Sequence, residues 1–148
     1  MIVDSSALVA MLRGEAGADD LSRGIAVAGG GSVPAPCYLE TCMVMAGRKG
    51  PDSRPVVEAL LTTLGLSVMP FAETHARVAT EAFLRYGKGR HAAGLNFGNC
   101  MAYAVAQAER APLLFTGGGF GLTDVVAIPA DQLPSSCGGT ARFRAPWR

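Results

Sequence analysis

The chain has 148 residues, 49% of them hydrophobic and 17% charged, with a formal net charge of +1. That is one domain's worth of sequence with enough apolar content to bury a full core, and its charge is too balanced to coat nucleic acid except through a local patch. No apolar run approaches the roughly 20 residues that cross a bilayer, and no basic segment precedes the first apolar stretch as in a signal peptide, so the sequence reads as cytoplasmic.

Ile2 to Asp4 reads as a short buried strand that runs into an apolar helix carrying Ala7, Leu8, Val9, Met11 and Leu12, with Ser5 or Ser6 placed to cap it. A weaker helix over residues 15 to 28 ends at Gly29-Gly30-Gly31. Ser32 to Ala35 is a second strand, kept short by Pro34 and Pro36. Pro36 then suits the first turn of a helix from about 37 to 47, closed by Arg48-Lys49-Gly50. A helix from Ser53 to Leu64 leads to the strand Leu66 to Pro70.

Residues 72 to 86 predict a long amphipathic helix, with Ala76, Ala79, Phe83 and Tyr86 recurring at steps of three and four. On that spacing Phe83 and Tyr86 read as core. Gly87 to Asn96 is a loop, 98 to 110 a helix, and Pro112 to Phe115 a buried strand followed by Gly117-Gly118-Gly119. Val125 to Ile128 is the last predicted strand. The tail from 131, with Arg142, Arg144, Trp147 and Arg148, reads as a poorly packed basic extension. The four cysteines, Cys37, Cys42, Cys100 and Cys137, form no CxxC pair and have no histidine at zinc spacing, so they read as small hydrophobes in a reducing compartment.

Strands alternating with helices imply right-handed crossovers and a mainly parallel sheet of four or five strands, an α/β domain covered on both faces. In such a sheet the C-terminal strand ends share one edge, where chemistry gathers. Asp4 follows the first strand, Glu40 lies one turn into the helix after the second, Asn99 opens the later helix, and the glycines follow the fourth strand. Carboxylates gathered there suit Mg²⁺, which takes hard oxygen ligands and keeps several waters. The same residues have plainer readings, Asp4 and Asn99 as helix caps and Glu40 as a solvated charge.

The stretches Met1-Ile2-Val3-Asp4-Ser5-Ser6-Ala7 and Tyr38-Leu39-Glu40, the run from Tyr86 to Cys100, and Pro112-Leu113-Leu114-Phe115 with Phe120-Gly121-Leu122-Thr123-Asp124 carry a resemblance. Over roughly residues 1 to 130 the chain resembles PIN-domain proteins of the VapC type, the toxin half of VapBC toxin–antitoxin pairs. The resemblance implies a PIN-like three-layer sandwich and an Mg²⁺-dependent endoribonuclease that cuts cellular RNA, often tRNA or rRNA. It also implies a VapB-type antitoxin partner and pairing into a homodimer. Asp4 and Glu40 match family acids, and the metal falls to Asp4 and the position of Asn99. That position usually reads Gly-Asp-Cys, and the residue before Phe120, here Gly119, is usually Asp. The sequence departs from the pattern at both, so the resemblance implies an impaired metal site. Asp124 is a possible compensating acid, with capping of its own turn as the alternative.

In the loop Arg85 to His91, Lys88 and Arg90 are candidates for RNA phosphate contact, against the plainer reading of a solvated basic loop. Two other readings compete with the nuclease. One is a non-catalytic PIN module that binds antitoxin or RNA without cutting. The other is a phosphate-handling enzyme using Asp4 as nucleophile, which usually wants a second Asp where Ser6 stands.

Overall fold

The computed structural model describes residues 1–47, 50 and 52–129. Arg48 and Lys49, and the tail with Cys137, Arg142, Arg144, Trp147 and Arg148, lie outside the described residues. Five strands, Ile2–Val3 (β1), Gly31–Pro34 (β2), Leu66–Met69 (β3), Leu113–Phe115 (β4) and Ala127–Pro129 (β5), form one parallel sheet in the order β3-β2-β1-β4-β5. Six helices flank it among the described residues: Ser5–Arg13 (α1), Ala18–Val27 (α2), Ala35–Ala46 (α3), Arg54–Thr63 (α4), Glu73–Tyr86 (α5) and Phe97–Ala108 (α6). A 3-10 turn at Phe120–Leu122 joins β4 to β5. The expected α/β sandwich is the observed one.

β1 lies at the centre. Its two β-branched residues are fully enclosed, and its backbone is bonded on both sides, Ile2 N–H to the Pro112 carbonyl at 2.8 Å and Ser32 N–H to the Met1 carbonyl at 2.9 Å. Ile2 therefore stands in register with Ser32 on one side and Leu113 on the other. The core packs Leu8 of α1, Leu21 and Ile25 of α2 and Leu60 of α4 with Leu114 and Phe115 of β4, each 0 or 1% exposed. At roughly 1.5–3 kcal/mol per enclosed side chain, this packing outweighs the marginal preferences of strands only two to four residues long.

Several local readings need correction. The cap of α1 is Asp4 itself, whose carboxylate accepts from Ser6 N–H, so β1 ends at Val3 and neither Ser5 nor Ser6 caps. β5 begins two residues later than Val125, because Val126 supplies the carbonyl that receives Leu113 N–H and Val125 turns inward. In α5 the buried face is His75, Ala82 and Tyr86, whereas Ala76 is exposed and Phe83 is 39% exposed. The apolar stripe read from that segment is thus mostly a surface, and Phe83 is not core.

Candidate functional site

Because every strand is parallel, Asp4, the N-terminal half of α3, the start of α6 and the exit of β4 all gather at one edge. Asp4 is the deepest of the candidate residues, 1% exposed. Its Oδ2 accepts from Ser6 N–H at 3.0 Å and from the Ser6 hydroxyl at 2.6 Å, while the Cys37 thiol stands 3.8 Å from Oδ1. Burial pushes its carboxyl above the ordinary 3.8, and the charge of Glu40 adds to that, against the Ser6 bonds that favour ionisation. Burial and the charge of Asp4 likewise hold the Cys37 thiol in its neutral form. Ser6 does a second job: its oxygen accepts from Thr116 N–H at 3.1 Å, tying Asp4 to the chain leaving β4.

Glu40, on the second turn of α3, accepts from the Ser5 hydroxyl at 2.8 Å. The two acids are thus held by adjacent serines of one helix start. Glu40 also lies against the backbone of α6: a β-carbon at position 98 would stand 2.6 Å from its Oε2, so Gly98 is the residue that lets α3 and α6 close here. No lysine or arginine pairs with Asp4 or Glu40 among the described residues. A buried carboxylate beside a second one, with no counter-cation, fits a hard divalent cation.

The other two positions offer less. Asn99 does not itself cap α6. Asn96 does, and the two form a reciprocal box, Asn99 N–H to Asn96 Oδ1 at 2.8 Å and Asn96 N–H to Asn99 Oδ1 at 3.2 Å. The amide oxygen of Asn99 is therefore engaged with its own helix start. Gly119 supplies no side chain, and the loop before α6 has closed on it, since a β-carbon there would stand 2.8 Å from the Ala93 carbonyl oxygen. Among the described residues no three His, Cys, Asp or Glu side chains form a metal-sized group. The donor set fits an ion held by two carboxylates and completed by water.

Asp124 stands apart from that pair in its bonding. It accepts from the Tyr103 hydroxyl at 2.5 Å, from Gln107 Nε2 at 3.2 Å and from Arg85 Nη1 at 3.0 Å. It does not cap its own turn; Thr123 does, with its hydroxyl donating to the Phe120 carbonyl at 2.7 Å. The loop after α5 is pinched shut by Lys88 N–H to Leu95 carbonyl at 2.9 Å and Leu95 N–H to Tyr86 carbonyl at 3.0 Å. It presents Lys88 and Arg90 to solvent, with the Arg90 guanidinium 5.4 Å from the centre of the Phe83 ring. His91 is a structural residue, accepting from Ala93 N–H at 3.1 Å and packing edge-on to Tyr86. In the sequence alone Cys37, Gly98 and Thr116 carry no sign of a role at the acids, and the two serines read as caps. A serine directly after a strand-end acid was the available signal.

The PIN domain family model matches residues 1–123. The chain is 46% identical over 126 residues to Ribonuclease VapC36 of Mycobacterium tuberculosis, covering 84% of this chain and 91% of that protein. It is 39% identical over 128 residues to Ribonuclease VapC of Mycolicibacterium smegmatis, covering 86% of this chain and 99% of the relative. Ribonuclease VapC42 of Mycobacterium tuberculosis is 40% identical over 126 residues, 84% of this chain and 96% of its own length.

Proposed function

The chain belongs to the PIN-domain family and to its VapC ribonucleases, and from that premise we propose that it is the toxin of a type II toxin–antitoxin module, a metal-dependent endoribonuclease with a weakened ion site. The observation that carries this reading is the pair of acids, Asp4 and Glu40, each held by a serine hydroxyl at the C-terminal edge of the sheet with no counter-cation among the described residues. Asp4 and Asn99 would hold Mg²⁺, and a bound ion there would activate water and offset charge on a scissile phosphate. Glu40, oriented by Ser5, would take the proton of the attacking water. Lys88 and Arg90 would receive phosphates of the RNA, tRNA or rRNA being the class acted upon. A VapB-type antitoxin would silence the site, and two copies of the chain would pair. The proposed setting is the cytoplasm, where a VapB-type antitoxin and RNA would meet it. No helix among the described residues is long and apolar enough to cross a membrane.

Asn99 and Gly119 set the limit on activity. An amide in place of a carboxylate removes one negative charge, and a glycine removes a ligand, so ion retention falls with each. Asn99 locked in its capping box and Gly119 sealed by Ala93 favour a second reading, a PIN module that binds antitoxin or RNA without cutting. Cleavage of total RNA with Mg²⁺, and with chelator as control, separates the two. Weak, chelator-sensitive cutting that rises when Asn99→Asp is introduced supports the nuclease; ion binding by that variant with no cutting supports the module.

A further inference from the structure

The five strands are parallel, so β5 ends at the same edge of the sheet as β1, and that is the edge of Asp4 and Glu40. Pro129, the last residue of β5, stands in register with Phe115, one residue before the Thr116 whose N–H reaches Ser6. The chain that follows Pro129 therefore starts out at the edge of the acids. β1 lies two strands away, roughly 10 Å. The link from residue 130 to residue 141 can span up to roughly 40 Å at about 3.3 Å per residue, several times that distance.

Beyond the link the sequence reads Arg142-Phe143-Arg144-Ala145-Pro146-Trp147-Arg148, with three arginines, two aromatic residues and no acid. The family match ends at residue 123, so this segment lies outside the shared domain. Residues 1–129 are short of what it carries. They hold ten lysines and arginines against eleven aspartates and glutamates, one net negative charge. Arg13, Arg23, Arg54, Arg77 and Arg85 are each already paired with a carboxylate, and the edge that would receive RNA itself presents two acids. A polyanion gains little from such a surface. The segment supplies the missing chemistry. Its arginines can contact phosphates whatever the sequence, and Phe143 and Trp147 offer flat faces on which any unpaired base can stack. We propose that residues 142–148 form a second RNA-binding site, which holds single-stranded RNA beside the edge of Asp4 and Glu40. This rests on RNA being the substrate and goes further, adding a sequence-tolerant grip outside the PIN domain. Joined to the domain by a short link, that grip raises the concentration of RNA at the acids.

Trp147 is the single tryptophan of the chain, so its emission reports on the segment directly. The probe is a labelled single-stranded oligouridylate, followed by anisotropy with the full chain in EDTA from about 50 to 200 mM salt. Arg142→Gln, Arg144→Gln and Arg148→Gln together are expected to lower the slope of log affinity against log salt by about 2, and to weaken binding roughly tenfold at the lowest salt. Lysine at the same three positions keeps the slope. Trp147→Ala weakens binding roughly fivefold and leaves the slope alone. In the unmodified chain, unlabelled oligouridylate dims Trp147, while heparin, a polyanion without bases, does not. Thermal melts that match the unmodified chain show that the variants leave the domain folded. An unchanged slope in the glutamine variant overturns the proposal, as does Trp147 emission that RNA leaves alone or that heparin dims equally. A response to polyglutamate in place of RNA overturns it too, and assigns the segment to an acidic protein. The nuclease reading stands or falls separately, on chelator-sensitive cleavage of total RNA.

Discussion

Two aspartates of this molecule sit in opposite surroundings. Asp124 is partly exposed and satisfied three times over: the Tyr103 hydroxyl holds its carboxyl below the usual range, helped by the charge of Arg85. Asp4 is enclosed beside a second carboxylate and pairs with no lysine or arginine among the described residues, and burial pushes its carboxyl up. The first carboxylate stabilises the fold by closing the β4–β5 connection onto α5 and α6. The second works against the fold, a cost that sites kept for binding and catalysis commonly impose. The contrast separates an acid that stabilises the fold from one that burdens it, and only the second has the surroundings that the proposed function asks of its site.

The largest expected effect comes from adding charge on the Asp4 side. Asn99→Asp should raise Mg²⁺-dependent RNA cleavage by about a hundredfold, on the order of 3 kcal/mol in the barrier, measured as initial rates on total RNA. Glu40→Gln in that background should abolish the gain while leaving the melting temperature within a few degrees. Restoring the second acid as Gly119→Asp is less simple than the sequence implies. Its β-carbon meets the Ala93 carbonyl, so the variant should lose about 1–3 kcal/mol in urea unfolding. At Gly118 a β-carbon meets nothing within 4 Å, so Gly118→Asp should be nearly neutral.

Asp124→Ala should cost about 1 kcal/mol, the worth of partly exposed hydrogen bonds. Its contribution is present above the ordinary carboxylate value and is lost as pH falls through the lowered one. Asp4 behaves in the opposite sense. The folded state prefers its protonated form, so its contribution is full below the ordinary 3.8 and is lost as pH rises through the raised value. Asp4→Asn should therefore stabilise the protein by on the order of 1 kcal/mol at pH 7, with the gain vanishing near pH 3. A pH series of thermal melts on both variants checks the two signs together; equal signs would erase the contrast.

Most of the architecture was legible in the sequence because it rests on periodicity and punctuation. Buried β-branched pairs, Pro34 and Pro36, and helices between every strand leave little choice but a parallel sheet. The position of Asp4 and Glu40 at one edge followed from that topology. The division of labour inside the site did not follow. Residues 96 to 99 close into a box because two asparagines stand three apart, so the cap of α6 is Asn96 rather than Asn99, a local exchange that a pattern of acids does not contain. Phe83 looked like core because spacing identifies an apolar face but not what covers it. The inward face of α5 is instead built on His75, Ala82 and Tyr86, the first of them polar and hence invisible to a hydrophobic pattern. The bonding of Asp124 spans three segments, and no short window contains it.

The bond from Thr116 N–H to the Ser6 hydroxyl joins residues 110 apart in the chain. β1 emerges first from the ribosome, yet it is the middle strand and needs β4 as a neighbour before Asp4 has its surroundings. During synthesis the N-terminal acid must wait, solvated and ordinary, until nearly the whole domain has been made. A truncated translation product that stops short of β4 therefore carries Asp4 and Glu40 but no assembled pocket. Under the proposed function, the fold itself delays competence until the last stages of the domain's own production.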